Sequence, residues 1–80
     1  MTTDQATIII RESIREAASQ RGCKPSDAHR PSQANKPGLK ARNIAIRLAR
    51  AQGIPVHFLA HAFSLSRETI QKALREEVAV

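Results

Sequence analysis

The chain has 80 residues, with 13 Lys and Arg against 7 Asp and Glu and a net charge of +6, which describes one small basic domain with a modest core. Its length leaves no room for a second domain, and no apolar run reaches the roughly 18 residues a membrane helix needs. The N-terminus lacks the charged start and apolar stretch of a secretory signal, so a cytoplasmic protein is expected. Cys23 is the single cysteine, so it forms no internal disulfide and stability must come from packing.

The positive charge is localised. Arg21, Lys24, Arg30, Lys36, Lys40, Arg42, Arg47 and Arg50 are accompanied only by Asp27, and a one-sided basic surface points to a polyanionic partner, nucleic acid or an acidic membrane face. With Phe58 and Phe63 the only aromatic side chains besides histidine, the chain cannot build the stacking platform used by single-strand readers, which favours duplex DNA.

In chain order, Thr3 or Asp4 can cap a helix from about Gln5 to Gln20 whose inner face carries Ala6, Ile10, Ile14, Ala17 and Ala18, with Gly22 placed to end it. Ile8 and Ile9 widen its apolar side. The run Thr7 to Ile10 could pass for a strand, but no partner strand lies nearby and the helical spacing continues to Ala18. Residues 23–38 hold three of the four prolines and read as a basic loop, with room for a short turn of helix at Ser26–His29 capped by Ser26.

Gly38 opens the next expected helix, about Leu39 to Gln52, apolar at Leu39, Ile44, Ile46, Leu48 and Ala49 and polar at Lys40, Arg42, Arg47 and Arg50. Gly53 ends it, and Pro55 starts a helix over about 55–62 in its first turn.

The stretch Val56 to Leu74 reads as two short helices joined by a tight turn, a helix-turn-helix. Leu59, Ala60 and Phe63 face inward from the first, Leu65 from the turn, and Ile70, Ala73 and Leu74 from the second, which runs over about 66–77; Ala60 is small where the helices should cross most closely. Ser66 suits the N-cap of the second helix and Glu68 its first turn. Ser64 occupies the turn position most often held by Gly, so it must adopt a left-handed backbone or the turn must relax. The expected architecture is an all-α single-domain bundle of four main helices spanning residues 1–80.

With the helices placed, nearly the whole chain resembles the C-terminal DNA-binding domain of the bacterial replication initiator DnaA, a Trp-repressor-like helical domain. Ala41-Arg-Asn-Ile-Ala-Ile-Arg-Leu-Ala-Arg50 resembles that family's Arg-x-x-Ala-Met-x-Leu-Ala-Arg/Lys stretch, and Ile54 to Phe63 resembles the segment after it. Upstream, an amphipathic helix, Gly22-Cys-Lys-Pro-Ser-Asp27 and a basic loop follow the family's order. The family signature Gly-Gly-Arg-Asp-His-Thr-Thr-Val is replaced by Ser64-Leu-Ser-Arg-Glu-Thr-Ile70, one residue shorter, in which only Arg67, Glu68 and Thr69 keep its character. Recognition of the initiator's own box is therefore not implied, and 80 residues do not contain that family's ATPase module. The resemblance implies a stand-alone DNA-binding module: a small bacterial or phage transcription or replication regulator, associated with the nucleoid.

On the second helix of the pair, Arg67, Glu68, Thr69, Gln71 and Lys72 are the candidates for reading base edges, since Arg and Lys donate to guanine, Gln pairs with adenine and Glu accepts from cytosine. Lys36, Lys40, Arg42, Ser64, Ser66 and Arg75 are candidates for the sugar-phosphate backbone or an adjacent minor groove, and for Lys36, Lys40 and Arg42 the resemblance implies the role that the comparable loop plays in the family. The bland alternatives are a solvated helix face and a solubilising loop.

A zinc site built from Cys23, His29, His57 and His61 is disfavoured, because no Cys-x-x-Cys or second close ligand pair accompanies the two histidines one turn apart. No cofactor is expected. Catalysis has no foothold either: there is no Gly-rich phosphate loop, nucleophile motif or inward carboxylate pair. The alternative to duplex binding is a protein-interaction adaptor docking on RNA polymerase, a replication factor or another regulator. A membrane-surface role is weaker, because the basic residues lie in a loop and around a helix that must also fill the core.

Overall fold

The computed structural model describes residues 2–32 and 34–76, which form five α-helices and no strand. The helices are α1 (Thr3–Arg21), α2 (Pro25–His29), α3 (Lys36–Ala51), α4 (Val56–Phe63) and α5 (Arg67–Glu76). An all-α bundle is what the apolar periodicity predicts. The expected end of the last helix at Glu77 lies outside the described residues.

The first helix starts earlier than expected and is capped by Thr2, not by Thr3 or Asp4. Thr2 Oγ1 accepts the Gln5 N–H at 3.2 Å and Gln5 Oε1 accepts the Thr2 N–H at 3.0 Å, a reciprocal pair that satisfies two otherwise orphan donors. Asp4 instead places its charge in the first turn, against the positive end of the helix dipole. The far end closes on Gly22 at φ +67°, whose N–H reaches back to Ala18 and Ser19 while the Cys23 N–H bonds the Ala18 carbonyl at 3.0 Å. Ala6, Ile10, Ile14, Ala17 and Ala18 are buried as expected, joined by Ser13, whose hydroxyl donates to the Ile9 carbonyl. Ile9 packs at the edge of this core, whereas Ile8 is 51% exposed and adds nothing to it.

The segment 23–38 is far less of a loop than its proline content suggests. Pro25 occupies the first turn of α2, where its missing N–H costs nothing, so Ser26 lies inside that helix and Lys24 precedes it without a side-chain cap. Asn35, not Gly38, caps α3: Asn35 Oδ1 accepts the Gly38 N–H at 3.0 Å, and Pro37 sits in the first turn for the same reason as Pro25. Lys36 and Lys40 are therefore on a helix, as is Arg42.

Gly38 is buried because α2 crosses directly over it. A Cβ there would lie 2.8 Å from the Asp27 backbone oxygen and 2.9 Å from the Asn35 side chain. Gly38→Ala should thus lower stability by about 1 kcal/mol or more, although alanine favours helix by a similar amount in the open. A thermal melt at or above the wild-type midpoint would show that α2 does not seat on the first turn of α3.

The core centres on α1 against α3, the most extensive helix pair. On α3 the buried residues are Gly38, Ala41, Ala45, Ile46 and Ala49, while Leu39, Ile44 and Leu48, expected inside, are only half-buried. Small side chains let the two backbones approach closely, and the larger ones flank the contact. Ile54, in the link to α4, is fully buried with Ile46, Leu59 and Ile70. Pro55 is the N-cap of α4, one residue ahead of the first turn where it was expected.

Candidate functional site

The α4–α5 unit takes its form from the residues between Phe63 and Arg67. Leu59 and Phe63 are buried on α4, as are Ile70 and Ala73 on α5. Leu65 and Leu74 pack partly against them, as does the half-buried Ala60. Ser64 adopts the left-handed conformation, φ 55° and ψ 45°, and is the one non-glycine described with positive φ. Its N–H and that of Leu65 close the end of α4 onto Ala60 and His61. Ser66 then caps α5: its Oγ accepts the Thr69 N–H at 3.2 Å and lies 2.9 Å from the Thr69 hydroxyl.

This conformation is held from outside by two residues of the α2 end. His29 Nε2 lies 2.7 Å from the Ala62 carbonyl, one of the α4 oxygens without a partner within the helix, and the His29 ring meets Phe63 edge-on at 5.6 Å. Arg30 Nη2 donates to Ser64 Oγ at 3.1 Å. Arg30 thus brings a positive charge to the turn itself, a position its place in the basic segment did not reveal.

A left-handed serine costs about 1 kcal/mol that glycine would not, more than the roughly 0.5 kcal/mol of an exposed hydrogen bond to Arg30. Ser64→Gly should therefore raise the melting midpoint by a few degrees, and Ser64→Ala, which keeps the strain and loses the bond, should lower it. A fall in both variants would mean the turn carries no left-handed strain.

The base-reading candidates divide by position. Arg67, Glu68, Gln71 and Lys72 are exposed on the side of α5 away from Ile70 and Ala73. Thr69 is half-buried and its hydroxyl is directed to Ser66, so it serves the cap. Among the backbone candidates, Arg75, Ser64 and Ser66 are exposed, the first at the far end of α5 and the serines in the turn. Lys36 and Lys40 are exposed one helical turn apart at the start of α3, beside α2. Arg42 is half-buried and donates to Asn43 Oδ1 at 3.2 Å. Arg47 is also half-buried, and desolvation pushes its guanidinium pKa down.

No family model, curated protein or solved structure matches the chain. Its chemistry rests on its own residues. Among the described residues no three of His, Cys, Asp and Glu gather closely enough to hold a metal ion, and His29, one of the zinc candidates, is engaged with α4. No described helix is long and apolar enough to cross a membrane.

Proposed function

We propose that the chain is a sequence-specific double-stranded DNA-binding module, a small regulator of transcription or replication, in which α4 and α5 act as a helix-turn-helix. The observation that carries this reading is the division of α5: Ile70 and Ala73 are buried, while Arg67, Glu68, Gln71, Lys72 and Arg75 present a continuous polar face to solvent. Such a helix has the donors and acceptors that base edges need at its start and a cation for the phosphate backbone at its end. Lys36 and Lys40 add charge beside α2, and Arg30 adds it at the turn. The resemblance to the initiator's DNA-binding domain in helix order and in the α3 sequence supports this reading, while the diverged turn means that recognition of the initiator's own box is not carried over.

Duplex binding should weaken steeply with salt, by about 0.9 log units per log unit of salt for each phosphate neutralised. Five contacts would give a loss on the order of several hundred-fold between 50 and 200 mM. Neutralising Lys36, Lys40 and Arg42 together should flatten that slope and leave base preference unchanged. Fluorescence anisotropy with random and selected duplexes measures both. Failure to bind any duplex, together with salt-insensitive binding to RNA polymerase or a replication factor, would replace this reading with that of a protein adaptor.

A further inference from the structure

A second basic feature lies between α1 and α2. A solvent-open groove of about 530 Å3 runs between α1 and α2, lined by Arg11, Ile14 and Arg15 on one wall and Pro25, Ser26 and His29 on the other. Arg11 and Arg15 are one helical turn apart, so their guanidinium groups project along the same edge of α1, and both are exposed. Among the described residues neither has a carboxylate partner. Like charges at this spacing repel on an isolated helix, which leaves the pair poised for an anion.

Charge on α1 is segregated. Glu12 and Glu16 line a different groove, against Leu48 and Gln52 of α3, and neither forms an ion pair with the two arginines. On α2, Asp27 does not line the basic groove, whereas Ser26 offers a hydroxyl across from the two arginines. Two planar guanidinium forks beside a hydroxyl match a tetrahedral oxyanion with several acceptor oxygens. His29 joins this groove to the α4–α5 unit, because the ring that lines it also bonds the Ala62 carbonyl, and Arg30 next to it holds Ser64.

We infer that the α1–α2 groove is a phosphate-binding site, and that its phosphate is a phosphodiester of the duplex held by α5. The source rests on the duplex-binding reading, but the site itself does not. An open trough larger than a single phosphate suits a chain passing through it, and α2 places it next to the turn that begins α5. A free phosphorylated small molecule is the other source of the same chemistry.

The test uses the full chain and two readouts. Inorganic pyrophosphate titrated at constant ionic strength should give saturable NMR shifts at Arg11, Arg15 and Ser26, and these should vanish in the Arg11→Gln/Arg15→Gln variant. Both arginines are exposed, so that variant should fold, and circular dichroism verifies this. On duplex DNA the same variant should lower the salt slope by nearly 2 and weaken binding at least tenfold at low salt with base preference unchanged, while Arg50→Gln, outside the groove, should leave both the slope and the affinity close to wild type. Saturable pyrophosphate shifts with an unaltered duplex slope, or with no duplex binding at all, keep the phosphate site but overturn the duplex as its source. No saturable shift and an unaltered slope overturn the inference entirely, as does an equal loss per charge in Arg50→Gln.

Discussion

Leu59→Ala and Ile70→Ala are each expected to destabilise the domain by about 2–4 kcal/mol. Both side chains are fully buried, one on α4 and one on α5, and each deletion removes several methyl or methylene groups from the contact that sets one helix against the other. Small domains have total stabilities toward the lower end of about 5–15 kcal/mol, so either loss is a large fraction of the whole. At roughly 4–8 °C per kcal/mol for a chain of this size, the midpoint should fall by about 8 °C or more. Ile8→Ala, at a residue 51% exposed on α1, should stay within about 0.5 kcal/mol and serves as the control. Circular dichroism melts of the three variants measure this. Midpoints for Leu59→Ala and Ile70→Ala as close to wild type as that of Ile8→Ala would mean that α4 and α5 do not pack through these residues.

Periodicity carried most of this fold. The stripe Ala6, Ile10, Ile14, Ala17, Ala18 and the alternation of Ile70 and Ala73 with charged residues follow the helical repeat, which a sequence displays directly. What local pattern could not display is set by neighbours distant in sequence. Pro25, Pro37 and Gly38 read as loop residues, yet prolines are accommodated in first turns, and Gly38 is required where α2 crosses α3. Ala41 and Ala45 are fully buried because α1 lies close, and an alanine has no size with which to announce that. The candidate site divides in the same way. The exposed face of α5 was legible, whereas the hold of His29 and Arg30 on Ala62 and Ser64 spans 33 and 34 residues and leaves no mark in either segment. Thr69 keeps the character of the family signature in the sequence, but the serine three residues before it engages its hydroxyl, a cap contact that the signature does not reveal.

Arg67→Ala should remove the strongest single determinant of sequence preference. Arg67 is the first residue of α5, is exposed, and among the described residues has no partner that would hold it away from a ligand. A recognition helix places its N-terminal residues deepest in the major groove, where an arginine can donate twice to guanine O6 and N7. Gln71 and Arg75 follow on nearly the same face at about 6 Å per four residues, so each successive side chain moves along the helix away from that point. The loss on the preferred site should be about 1–3 kcal/mol, roughly 5- to 150-fold in affinity, with one base position relaxed. Arg75→Ala, at the far end, should weaken all sequences alike and reduce the salt slope by about 0.9. Because Ser64 to Ile70 departs from the initiator signature, the initiator's box should compete no better than random duplex. Selection from randomised duplexes, repeated with each variant and read position by position, decides between these outcomes. An Arg67→Ala protein that keeps every base preference, or an initiator box that outcompetes the selected sites, would place the recognition surface elsewhere than the start of α5.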